Sequence, residues 1–338
     1  QLFNTNTVSD RQPVTLVESG TYQLIVDGNG NTTGNYSFQL LDIASATDLT
    51  LDTTINGSLE PGQETVLYKF EGTANQKLFL EDKGSQGSGT YVLYAPGNQQ
   101  VTSQSLRFDR EITLPGNGVY ILAVQGFSNE ETLSYSFSLI TSEITTTELT
   151  LGEIVSSNIS KPGEEDIYTF SGTAGQRLYY DGISGNSTIT RLISPSGVQL
   201  FNTNTVSDRQ PVTLVETGTY QLIVDGSVGT TGVYSFQLLD LANATNIDFD
   251  TTISGSLDSG QQTILYKFEG TAEQQLSFED LGSERFAGSY VLYGPGNQFI
   301  GSSSLGFDFQ VTLPGDGIYF LAVQINSNEE VNYSFRVS

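Results

Sequence analysis

The sequence predicts an all-β protein: tandem antiparallel β-sandwich modules, jelly-roll-like, of about 99 residues each. Two observations carry this expectation. The chain repeats itself at a fixed period, and each repeat is a series of short alternating runs separated by turn residues, with no window of helical period.

The repeat comes first. Gln1–Gly28 recurs at Gln199–Gly226 with one change, Ser19 to Thr217, an offset of 198 residues. Leu67-Tyr68-Lys69-Phe70-Glu71-Gly72-Thr73-Ala74 returns as Leu265-Tyr266-Lys267-Phe268-Glu269-Gly270-Thr271-Ala272. A weaker relative, Ile167-Tyr168-Thr169-Phe170-Ser171-Gly172-Thr173-Ala174, lies midway. The long period therefore holds two related modules, A and B. Residues 1–45 are expected to be the C-terminal half of an A-type module, 46–144 a B-type sandwich, 145–244 an A-type sandwich and 245–338 a B-type sandwich. Half a sandwich exposes unpaired edges and apolar faces, so something is expected to complete residues 1–45. That completion comes from upstream chain or from another copy by strand exchange. The chain begins without Met or signal peptide and reads as a piece of something longer.

Within the complete A module, strands are predicted at Ile154–Ile159, Asp166–Ser171, Arg177–Asp181, Thr188–Ser194, Val198–Asn202, Val212–Leu214, Thr219–Asp225 and Val233–Leu239. Tyr220, Leu222 and Val224 share one face of their run, as do Tyr234, Phe236 and Leu238 of theirs. Lys161-Pro162-Gly163, Ser194-Pro195-Ser196-Gly197 and Glu216-Thr217-Gly218 read as turns. The segments Ser142–Thr147 and Asp240–Thr245 read as short linkers.

The order Tyr168-Thr169-Phe170, Gly172-Thr173-Ala174-Gly175-Gln176, Ser194-Pro195-Ser196-Gly197, Gly218-Thr219-Tyr220 and Tyr234-Ser235-Phe236 resembles the bacterial pre-peptidase C-terminal domain family, above all the versions strung through large cyanobacterial surface proteins. The B modules depart from it, with Gly118-Val119-Tyr120 and Gly317-Ile318-Tyr319 in place of Gly-Thr-Tyr. The resemblance implies a secreted, non-catalytic domain, appended to peptidases or arrayed on surfaces.

Composition narrows the chemistry. The formal charge is −25, from 38 acids against 13 bases, which argues against nucleic acid, whose phosphates need Lys and Arg patches, and against anionic membrane surfaces. His and Cys are both absent, so Ser-His-Asp and Cys-His catalysis and His- or Cys-ligated zinc are excluded. No apolar stretch approaches a membrane span. The chain is not expected to be an enzyme.

Excess carboxylate suits hard cations. Alignment on the Tyr-x-Phe strand puts Glu81, Asp181 and Glu279 at one position, and an Asp precedes a later strand in every copy: Asp10, Asp109, Asp208 and Asp308. The pairs Glu81 with Asp109, Asp181 with Asp208, and Glu279 with Asp308 are candidate calcium ligands. The competing reading makes each an acceptor of backbone N–H groups in a turn. Tyr91, Tyr94, Tyr179 and Tyr180 are candidates for a sugar-binding platform or, alternatively, for core. The expected role is a structural or adhesive array of a secreted or cell-surface protein, as a stalk, layer or filament, self-associating with other copies or other surface segments. The alternative is a carbohydrate- or protein-binding accessory of a secreted hydrolase.

Overall fold

A computed structural model describes the chain apart from residues 6–8, 62–63, 128–130, 186, 259–261, 326 and 328 and the side chain of residue 228. It is all-β, and the chain divides into two compact units, Gln1–Glu143 and Ile144–Ser338.

Unit 1 contains one sandwich. Its strands are β1 (Thr47–Asp48), β2 (Thr54–Leu59), β3 (Thr65–Gly72), β4 (Lys77–Asp82) and β5 (Gly89–Tyr94). They continue with β6 (Gln100–Ser105), β7 (Arg110–Thr113), β8 (Gly118–Gly126) and β9 (Leu133–Thr141). One sheet has the order β1-β3-β8-β5-β6 and the other β2-β9-β4-β7.

Unit 2 contains two more sandwiches. The first runs through β10 (Ile144–Glu148), β11 (Ile154–Ile159), β12 (Glu165–Gly172), β13 (Arg177–Gly185) and β14 (Thr188–Ile193). It closes with β15 (Gln199–Asn204), β16 (Arg209–Thr213), β17 (Gly218–Gly226) and β18 (Gly232–Asp240). Its sheets are β10-β12-β17-β14-β15 and β11-β18-β13-β16. The second is built from β19 (Thr245–Asn246), β20 (Thr252–Leu257), β21 (Thr263–Gly270), β22 (Gln275–Asp280) and β23 (Gly288–Tyr293). To these it adds β24 (Phe299–Ser304), β25 (Phe309–Thr312), β26 (Gly317–Ile325) and β27 (Val331–Val337), in sheets β19-β21-β26-β23-β24 and β20-β27-β22-β25.

Eight expected strands of the A-type sandwich are present, although the run expected at Val212–Leu214 is β16, Arg209–Thr213, which begins three residues earlier. The ninth is unexpected. β10 lies in what reads as a linker and pairs in parallel with β12, from Ile144 opposite Glu165 to Glu148 opposite Thr169. All five of its residues are exposed, so no alternation announces it. The other expected linker holds a 3₁₀ turn at Leu241–Asn243, capped by the Asp240 carboxylate accepting from the Ala242 N–H, with Leu241 buried beneath it.

The three cores share one construction. A tyrosine on each Tyr-x-Phe strand meets a tyrosine of the facing sheet through a buried hydroxyl pair: Tyr68–Tyr135, Tyr168–Tyr234 and Tyr266–Tyr333, each at 2.7 Å. Burying a phenol requires a partner for its O–H, and two phenols answer one another across the sheets. Large and small residues also exchange places. In the A sandwich Tyr180 of β13 faces Thr190 of β14, where the first B sandwich sets Leu80 against Tyr91. The close approach of the strands leaves no space at Gly172, where a Cβ would lie 2.5 Å from Leu214 Cδ1 and 2.7 Å from Tyr220.

Residues 1–45 form no strand among those described; their one regular element is a 3₁₀ turn, Ile43–Ser45, capped by Asp42. Their apolar side chains are exposed, including Leu16, Tyr22, Leu24, Tyr36, Phe38 and Leu40.

Candidate functional site

The most elaborate arrangement of polar side chains in the described molecule lies in unit 2, where the A-type and B-type sandwiches meet. It begins with the alternation of β13. Leu178 and Tyr180 point into the A core, so Arg177, Tyr179 and Asp181 stand on the opposite face. That face is covered by the following sandwich. Tyr179 is wholly buried in a separate apolar cluster with Leu241, Ala244, Leu265, Tyr293, Phe320 and Ala322. Arg177 lies 4.5 Å above the Phe320 ring centroid, and its guanidinium donates to Asn297 Oδ1 at 2.7 Å and to the Gly294 carbonyl at 2.9 Å.

Asp181 ends the ridge and is fully buried. Its carboxyl accepts from the Thr263 backbone N–H at 3.0 Å, from Thr263 Oγ1 at 2.9 Å and from Gln237 Nε2 at 2.5 Å. Asp208, half-buried beside it, accepts from the Gly182 N–H at 2.9 Å, from the Tyr179 hydroxyl at 3.1 Å and from Gln324 Nε2. Thr263 and Gln324 belong to the B-type sandwich, so both carboxyls are clamped from across the junction. Burial, reinforced by the neighbouring Asp208 charge, pushes Asp181 up to about 8. Burial likewise raises Asp208, which lies within hydrogen-bonding reach of Asp181. Two carboxyls this close in a dry setting cannot both ionise cheaply, and the pair shares a proton.

The other candidate pairs are built differently. Glu81 pairs with Lys83 at 2.6 Å, and Glu279 with Arg336 at 2.5 Å. Asp109 accepts from the Asp82 N–H at 2.9 Å and Asp308 from the Asp280 N–H at 2.8 Å, the same bond that Asp208 makes to Gly182. One oxygen of this Asp thus serves the same turn in all three sandwiches. Asp10, in the fourth copy, is exposed and meets Thr65 Oγ1 at 3.5 Å. Among the described residues no group of three or more acidic side chains is arranged to hold a metal ion.

Asp82 and Asp280, which beside Glu81 and Glu279 read from sequence as solvated strand ends, instead organise turns. Asp82 accepts from the N–H groups of Gly84, Ser85 and Arg107 and from the Tyr91 hydroxyl. Asp280 does the same with Gly282, Ser283, Gly306 and Tyr290. Burial opposes their ionisation, but these donors outweigh it and hold both below the usual carboxylate range. The A module has Gly182 at this place and lacks the device. The four candidate platform tyrosines, Tyr91, Tyr94, Tyr179 and Tyr180, are all buried, and the core reading holds for them.

Thr263, Gln324 and Gln237 were not legible as site residues, because polar strand residues are ordinarily solvated. One signal was present. The run Leu178-Tyr179-Tyr180 is apolar on both faces of its strand, which marks a strand covered on both sides.

No family model and no curated protein matches the chain. Among solved structures, the Aeromonas hydrophila periplasmic inhibitor of g-type lysozyme, PliG, aligns over 30% of this chain and 99% of its own at 12% identity, with a TM-score of 0.27. Tripeptidyl peptidase 2 aligns over 86% of this chain and 32% of its own at 8% identity and 0.18. A triple jelly-roll protein of an archaeal virus aligns over 80% of each chain at 12% identity and 0.16.

Proposed function

We propose that the chain is a structural or adhesive repeat segment of a secreted or cell-surface protein, in which successive sandwiches are fixed to one another. The observation that supports this reading is the junction of unit 2. An apolar cluster, an Arg–aromatic contact and a buried carboxyl pair are spent there on holding two modules in one orientation, a use that suits a load-bearing array and no turnover chemistry. The resemblance to pre-peptidase C-terminal domains supports a secreted, non-catalytic role, and the absence of His and Cys removes the commonest catalytic machinery.

Backbone relaxation by NMR tests the fixed junction. Residues 144–240 and 245–337 are expected to share one rotational correlation time. Two independent values would mean beads on a string and would remove the main support for this reading. The surface role is checked separately, by labelling intact producing cells with antibody raised against the chain; label confined to lysed cells would refute it.

A further inference from the structure

We infer that Thr263 and Gln237 are the two ends of an autocatalytic ester cross-link between the A-type and B-type sandwiches of unit 2, formed by attack of the Thr263 hydroxyl on the Gln237 carboxamide with loss of ammonia. Asp208 serves as general base and Asp181 as general acid. Formation of this bond does not require the surface role proposed above, and its absence would leave the fixed junction standing.

Three requirements of such a reaction meet here. The first is a nucleophile beside its electrophile. Thr263 Oγ1 and Gln237 Nε2 hang on the two oxygens of one carboxyl, at 2.9 Å from Asp181 Oδ1 and 2.5 Å from Asp181 Oδ2. Thr263 opens β21 of the B-type sandwich, and its backbone N–H, donating to Asp181 Oδ2 at 3.0 Å, pins it there. Gln237 lies in β18 of the A-type sandwich, directly opposite Asp181 in the ladder.

The second requirement is a pair of proton carriers. Asp181 is wholly buried and keeps the shared proton, while Asp208, less deeply buried, is the ionised partner. Asp208 Oδ2 meets Thr263 Oγ1 at 3.5 Å, within reach of the hydroxyl proton. The third requirement is a dry site with an outlet. Thr263 and Gln237 are 4% and 8% exposed, and both also line a cleft with Leu239, Ile264 and Leu265 through which ammonia can leave.

The step balances on these groups alone. Asp208 takes the Thr263 hydroxyl proton as Oγ1 bonds to Gln237 Cδ. The Cδ–Nε2 bond then breaks, and Asp181 gives its proton to the departing nitrogen, which leaves as ammonia. The carboxyl pair again holds one proton. Two reactants held together in a dry junction gain the effective concentration that a free hydroxyl and a free amide lack, and escape of ammonia into solvent makes the step one-way. Gln324 is a poorer electrophile. It stands opposite Thr263 in the same sheet, but its amide nitrogen lies on Asp208, the carboxyl without a proton to give. The other two sandwiches lack the set: Ser138 faces Glu81 and Arg336 faces Glu279 where Gln237 faces Asp181.

The test is peptide mapping of the 338-residue chain after it has been held folded at neutral pH. Cleavage before aspartate under denaturing conditions separates residues 225–239 from 258–279 unless a bond joins them. One joined species, lighter than the sum of the two by one ammonia, is expected, and hydroxylamine, which cleaves esters and spares amides, is expected to release both. Thr263→Ser, which keeps the hydroxyl, should still form the bond; Thr263→Val should not. Asp208→Asn should slow its formation by about 100-fold or more. Recovery of the two segments apart and at full mass from the folded, long-held chain overturns the inference. So does a joined species that resists hydroxylamine, or one that links Thr263 to Gln324.

Discussion

Residues 1–28 and 199–226 differ at one position, yet the two stretches have opposite surroundings. Tyr22 is 43% exposed and Tyr220 is fully buried; Leu16 is 57% exposed and Leu214 fully buried. What survives in the first copy is local. The Tyr22 hydroxyl donates to the Glu18 carbonyl at 2.7 Å, the same four-residue loop that Tyr220 makes with Glu216 at 2.9 Å. Asp42 caps its 3₁₀ turn as Asp240 does. What is lost is every ladder, because each ladder joins residues from opposite halves of the module. In this fold local sequence sets turns and caps, and distant sequence sets strands.

Four substitution pairs sharpen the contrast. The largest effect is expected at the ring that the first copy leaves in water. Phe236→Ala should destabilise unit 2 by about 3–5 kcal/mol, whereas Phe38→Ala should lie within about 0.5 kcal/mol of the unsubstituted chain. Denaturant titration of each variant measures both. Gly172→Ala should cost several kcal/mol by forcing Leu214 and Tyr220 aside, about the scale of overpacking or worse. Gly20, whose surroundings are open in the first copy, should accept no such cost from packing.

At the junctions, Thr263→Ala removes the hydroxyl donor to the buried Asp181 carboxyl while keeping the backbone N–H, and should cost about 1–3 kcal/mol. Thr65→Ala, facing only Asp10 across 3.5 Å, should be nearly silent. The pH dependence differs in the same sense. The native Asp181–Asp208 pair keeps a proton that the unfolded chain has released above pH of about 4. Stability of unit 2 should therefore be greatest at low pH within this window and fall as pH rises toward about 8, and Asp208→Asn should flatten that slope. Thermal melts from pH of about 4.5 to about 8 check this. The smallest effect is expected at the local loops, where Tyr220→Phe should cost about 1 kcal/mol and Tyr22→Phe nothing measurable.

Much of this was legible beforehand. Period-two runs such as Tyr220, Leu222 and Val224 located β17, and the 198-residue offset matched each residue of the first copy to its counterpart in the second. β10 escaped because all five residues face water and its pairing is parallel and long-range. The junction escaped for a related reason. Asp181 and Asp208 were visible as a recurring acidic pair, but their partners Thr263 and Gln324 come from the next module, and nothing in spacing ties residue 181 to residue 324. The same Asp position carries one shared role, acceptance of a turn N–H, and a second role only where another module covers it.

The most direct test of this account is residue-resolved hydrogen exchange on the 338-residue chain, read as matched amides 198 residues apart. The account predicts strong protection in 218–226 and 232–240 and exchange near the unprotected rate in 20–28 and 34–42. Equal protection in both copies would show that the second half folds without its ladder partners, and would contradict it.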